Sequence, residues 1–143
     1  MTTAIHKMVE ACRGDNNPAL IMRMASGWAV MGNSQFLRGY SLLLPDPVVP
    51  HLNAMDAATR DRFLSDMGKL GDAVLTATSA LRINYAMFGN AEPALHAHVI
   101  PRYTDEAEAM RTAHPWAYDW NAAPKFAVSE YGALLIKIRA LLK

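Results

Sequence analysis

Apolar positions change period several times along the chain, and each change marks an element. Ile5, Met8, Val9 and Cys12 recur at helical spacing, and Asp15-Asn16-Asn17-Pro18 then halts the pattern, because Pro18 lacks an N–H and Asn and Asp favour turns. A short opening helix is predicted. Leu20–Met24 and Trp28–Met31 flank the small residues Ala25-Ser26-Gly27 and read as a hairpin. Gly39–Leu44 supplies a third strand, ended by Pro45, Pro47 and Pro50, since proline cannot donate to a ladder. From Asp56, a candidate N-cap, Phe63, Met67, Leu70, Val74, Thr78 and Leu81 lie three or four apart on one side of a long helix. Gly68 and Gly71 fall inside it, each costing about 1 kcal/mol relative to Ala; they mark either a close packing contact or simple tolerance. Arg82–Phe88 alternates again, and Ala94–Arg102 follows as a fifth strand across the loop Gly89–Pro93, which implies antiparallel neighbours. Val128, Tyr131, Leu134, Leu135, Ile138 and Leu141 outline a C-terminal helix. The order predicts an α+β fold: an antiparallel sheet of about five strands, one long helix and a C-terminal helix, with residues 1–143 as a single domain.

Composition narrows the function. The 143 residues are 52% hydrophobic and 19% charged, with a formal net charge of +1, which suits one packed core and excludes intrinsic disorder. A general nucleic-acid binder would carry a basic patch that neutralises many phosphates, so no nucleic-acid partner is expected and any anion site is local. No apolar run approaches the roughly 20 residues of a membrane span, and no membrane partner is expected. The first thirteen residues scatter His6, Lys7, Glu10 and Arg13 among apolar positions, unlike a signal peptide. The single cysteine permits no intrachain disulfide. A reduced, cytoplasmic setting is expected.

The stretch that carries candidate chemistry is Gly89-Asn90-Ala91-Glu92-Pro93-Ala94-Leu95-His96-Ala97-His98-Val99-Ile100-Pro101-Arg102-Tyr103. On a strand, alternate side chains share a face, so His96 and His98 point together, about 6.5–7 Å apart along the chain. Three readings fit such a pair. The rings are ordinary structural histidines; they are two ligands of a metal-dependent enzyme, for which Glu92 and Glu106 are the nearest third ligands but at no familiar spacing; or one attacks phosphorus while the other stabilises the phosphoryl oxygens or leaving group. His6 and His51 are expected to face solvent, and Cys12 to be a small core residue. His114–Trp120 is dense in aromatics, with core packing the default for Trp116 and Trp120.

Gly-Asn-x-x-Pro-x-Leu-His-x-His-Val-Ile-Pro-Arg resembles the signature of the histidine-triad (HIT) family, whose usual form is His-x-His-x-His followed by two apolar residues. Asn33–Pro45 is similar to the family's turn, glycine and apolar strand ending in proline, and the long helix between the blocks fits that fold, so the resemblance covers roughly residues 20 to 103. It implies that His96 is the nucleophile and His98 the third triad residue. Ala94 stands where the first histidine should be, but its backbone carbonyl is retained as the acceptor that fixes the His96 tautomer; Tyr40 stands where many members carry another histidine. The implied activity is a hydrolase or transferase acting on the α-phosphate of a dinucleoside polyphosphate, such as a diadenosine polyphosphate, or a nucleoside phosphoramidate through a nucleotidyl-histidine. The alternative is a nucleotide-binding module with little turnover. Asn90 matches a phosphate-contacting residue and Asn33 the ribose-binding turn; Asn84 and Arg102 are further substrate-binding candidates, Arg102 as either a phosphate contact or a salt bridge. No cofactor or metal is implied, and a homodimer is expected as the family habit.

Overall fold

The computed structural model describes residues 2–143. Its helices are α1 (Ala4–Arg13), α2 (Ala57–Thr78) and α3 (Val128–Leu142), and its strands are β1 (Leu20–Arg23), β2 (Gly27–Met31), β3 (Ser41–Pro45), β4 (Arg82–Ala86) and β5 (Ala97–Arg102). The strands form one antiparallel sheet in the order β1-β2-β3-β5-β4, as the alternating segments predict. No helix among the described residues is long and apolar enough to cross a membrane.

Alternation sends the two sets of strand side chains to different cores. Ala29, Met31, Leu43, Ala97 and Val99 face α2 and α3, where they pack with Phe63, Leu70, Val74 and Ile138. Val30, Leu42, Leu44 and Ile100 face the other way, against Ile5, Val9 and Cys12 of α1 and the aromatic side chains of loops. Both faces are thus covered. The functional candidates lie on the second.

The ends of the elements follow from local chemistry. Asp56 caps α2 by accepting from the Thr59 N–H at 2.8 Å. Thr3 caps α1, and here the expectation for His6 fails: its ring accepts from the Thr3 N–H and closes a capping box, leaving it half-buried. The two helical glycines part company. A Cβ on Gly71 would fall 1.9 Å from the Tyr85 hydroxyl, so this is a close contact between α2 and β4, whereas Gly68 faces open space. Arg139 of α3 donates to the carbonyls of Ile21 and Leu20, locking the last helix over the first strand.

Several strand boundaries shift from expectation by one to three residues, β3 among them at Ser41–Pro45. The last strand begins at Ala97 rather than Ala94, and β4 ends at Ala86 rather than Phe88. The approach to β5 bends at Ala94 and leaves the ladder, and the Leu95 N–H bonds to the carbonyl of Val49.

Candidate active site

His98 lies on β5 between Leu42 of β3 and Ala86 of β4, and His96 precedes the strand by one residue. Their rings share a side of the sheet, with centroids 4.9 Å apart and planes at 71°. Both rings are partly exposed, so neither is sealed in a core.

Each ring is oriented through its Nδ1. For His96 the partner is the carbonyl of Ala94, 2.8 Å away. A carbonyl only accepts, so Nδ1 carries the proton and the Nε2 lone pair of the neutral ring is free. The alanine side chain is irrelevant to this bond, which needs only backbone. For His98 the partner is the hydroxyl of Tyr40, at 2.7 Å. Burial, followed by the neighbouring His96, lowers the His98 pKa to about 4, and burial raises that of the Tyr40 phenol, so both are neutral near pH 7.

An aromatic wall surrounds His98. The Trp116 ring meets it edge to face at 4.9 Å, Trp120 stands at 6.2 Å, and Phe36 stacks on Trp120 at 3.8 Å. Phe88 meets Trp116 edge to face at 5.0 Å, and both are exposed. Default core packing therefore describes Trp120, which is partly buried, better than Trp116. The Trp-rich segment is read correctly from sequence only as aromatic; its place against His98 is set by the loop that folds it back.

A cleft of about 280 Å³ opens beside His96, lined among others by His51, Leu52, Met87, Phe88 and Leu95. His51 is exposed as expected, yet it lies on the wall of this cleft, which no local sequence signal indicates.

The remaining candidates divide. Asn90 is exposed in the turn that follows Gly89, a residue whose φ of +71° favours glycine. Asn33 is exposed after β2, and its carbonyl accepts from the Phe126 N–H. Asn84 and Arg102 are not brought to the histidines, and of the two readings of Arg102 the structure shows the salt bridge, to Glu106 at 2.9 Å and buried, in place of a phosphate contact. Its guanidinium is buried and spends its donors inward, on Glu106, on Oδ1 of Asn84 at 3.0 Å, and on the carbonyls of Ala113 and Met110. Both residues border a larger groove of about 750 Å³ along β4 that contains neither His96 nor His98. Cys12 is buried as expected, and burial pushes its thiol pKa up. Among the described residues, no group of three or more His, Cys, Asp and Glu side chains is arranged to hold a metal ion.

No protein-family model matches the sequence, and no curated protein matches it. Solved structures do. The chain is similar to a histidine triad protein from Marinobacter aquaeolei, with a TM-score of 0.77 at 16% identity over 99% of this chain and 97% of that one. A histidine triad protein from Bradyrhizobium japonicum gives 0.76 at 18% identity over 92% and 95%. A hypothetical histidine triad nucleotide-binding protein from Sulfolobus tokodaii gives 0.74 at 13% identity over 95% and 91%. The chain has the histidine-triad fold.

Proposed function

We propose that this protein hydrolyses or transfers the nucleotidyl group of a nucleotide derivative, with His96 as nucleophile. The observation that carries the reading is the Ala94 carbonyl on His96 Nδ1, which leaves Nε2 as the outward-facing nitrogen beside the His98 ring. The likeness to histidine triad proteins, one of them described as nucleotide-binding, supports the substrate class.

In this reading Nε2 of His96 attacks the α-phosphorus of a dinucleoside polyphosphate or nucleoside phosphoramidate. The N–P bond forms as the bond from phosphorus to the leaving group breaks, and its electron pair departs with that group. Water then attacks phosphorus, the P–N bond breaks, the ring recovers its lone pair, and the water proton passes to solvent. Positioning and charge stabilisation dominate such transfers. His98 contacts a non-bridging oxygen or the leaving atom, and Asn90 and Asn33 contact phosphate and ribose. The protein assembles as a homodimer in this reading, and the exposed Leu81, Tyr85 and Phe88 along the β4 side supply apolar surface for it.

His96→Ala is expected to lower hydrolysis of diadenosine polyphosphate at least about a thousandfold, as loss of a nucleophile does elsewhere, with AMP binding by calorimetry retained. Unchanged hydrolysis would remove His96 from the role. A second reading, a nucleotide-binding module with little turnover, is favoured by Ala94 and Tyr40 standing in place of imidazoles; tight AMP binding by the natural protein without turnover would establish it.

A further inference from the structure

We infer that Tyr40 is a positioning residue that holds His98 as the neutral ring protonated on Nε2, which fits the site to substrates whose leaving group departs as an anion, as from a phosphoanhydride, over those that release an alkylamine. The inference rests on the reading of His96 as nucleophile for its substrate half, while its tautomer half stands on the resting protein alone.

Tyr40 is 4% exposed, enclosed by Phe36 and Trp120, and its hydroxyl has one hydrogen-bond partner among the described residues, His98 Nδ1. Two arrangements of the proton are open. If Nδ1–H donated to the phenol oxygen, the phenol's own O–H would be a buried donor with no acceptor, which folded proteins avoid. If the phenol donates, every proton is placed. Nδ1 of His98 is then an acceptor, and its ring proton is on Nε2.

The two rings are therefore oriented in opposite senses. His96 is pinned by an acceptor and exposes a lone pair; His98 is pinned by a donor and exposes an N–H. A histidine in the Tyr40 position offers either a donor or an acceptor to its neighbour, whereas a phenol with no second acceptor offers only its proton. The bond also disfavours the imidazolium. A protonated His98 would aim Nδ1–H at the phenol and force the O–H to turn towards the rings of Phe36 and Trp120. The other rings against His98 are those of Trp116, Trp120 and His96, and none of these groups is anionic. Burial acts in the same direction, with a His98 pKa of about 4.

A neutral N–H stabilises negative charge on oxygen but is a poor proton source near pH 7. Cleavage of a phosphoanhydride needs no more, because the electron pair of the breaking P–O bond leaves on a phosphate oxygen that is stable unprotonated. An alkylamine leaves phosphorus only once its nitrogen has gained a proton, and the Nε2–H of a neutral His98 is too weak an acid to supply it.

The test joins a spectrum to a rate ratio. In the natural protein labelled with ¹⁵N-histidine at pH 7, long-range ¹⁵N–¹H correlations should show His98 protonated on Nε2 and bare on Nδ1, with His96 the reverse. In Tyr40→Phe, His98 should pass to a mixture of both tautomers while His96 is unchanged; a merely structural tyrosine would leave both rings as they were. The natural enzyme should cleave diadenosine triphosphate at least about a hundredfold faster than the n-propyl phosphoramidate of AMP, the scale of an absent general acid. A His98 protonated on Nδ1 in the natural protein overturns the inference, and so does equal cleavage of the two compounds. If neither compound is cleaved, the substrate half falls with the nucleophile reading, and the spectrum still decides the part of Tyr40.

Discussion

Replacing Glu106 by alanine should cost the protein about 4 kcal/mol. The carboxylate is 4% exposed as a side chain and meets the 8% exposed guanidinium of Arg102 at 2.9 Å. It also accepts from the Tyr103 N–H at 2.6 Å and the Tyr118 hydroxyl at 2.5 Å. Removing one member of a buried ion pair costs about 3–5 kcal/mol, because the other charge is stranded. Here the guanidinium keeps Asn84 and two carbonyls as acceptors, which softens the loss, while Tyr103 and Tyr118 lose theirs, at about 1 kcal/mol each. With a urea m-value of about 1.5 kcal/mol/M, the unfolding midpoint should fall by roughly 2–3 M. Replacing both charges, Arg102→Met with Glu106→Leu, should recover much of the loss, since apolar substitutes for a buried pair are often neutral. Urea melts followed by tryptophan fluorescence report on Trp116 and Trp120 in and beside the segment this pair holds, together with Trp28. A single-variant loss below about 1 kcal/mol would refute the claim that this pair fastens residues 103–118 to the sheet.

Acid should destabilise the fold in two ways. His98, lowered to about 4 from an unfolded value of about 6.5, binds its proton more readily when unfolded; its contribution is complete above pH 6.5, is lost between there and pH 4, and amounts to roughly 3 kcal/mol. Glu106 is raised by burial but held below its ordinary value overall by Arg102, Tyr118 and the Tyr103 N–H, so its contribution is present above about pH 4.5 and is lost on further acidification. Stability flat between pH 7 and 4 in denaturant melts would contradict the first. Gly68→Ala should raise stability by about 1 kcal/mol, because it adds a helix former in open space. Gly27→Ala should destabilise by about 3 kcal/mol or more, because its Cβ would meet the Leu44 carbonyl oxygen at 1.8 Å; paired thermal melts check both signs.

Much of this architecture is legible from period alone. Residues such as Phe63, Leu70 and Val74 announce α2, and Ala97 and Val99 announce the buried side of β5, because side-chain direction in regular elements is local. The histidine pair is legible for the same reason. What period cannot report is where backbone polar groups go, so Ala94–His96 reads as strand although Leu95 bonds to Val49. Nor does it report long-range closure. Arg102 and Glu106 are four apart and resemble a surface pair; they are buried because a loop without periodicity returns over them. Tyr40 and His98 are 58 positions apart, and neither sequence neighbourhood signals the bond. His6 escapes notice because its ring occupies the capping-box position usually held by Glu or Gln.

The hydrogen bond from Leu95 to Val49 gives the proline-rich connection an influence on chemistry that proximity alone would not suggest. The backbone immediately before His96 is suspended from that connection instead of being gripped by adjoining strands, so the proposed nucleophile inherits whatever play residues 45–50 possess. Stiffening or loosening that span would retune reactivity from a distance while leaving every ring in the pocket chemically intact.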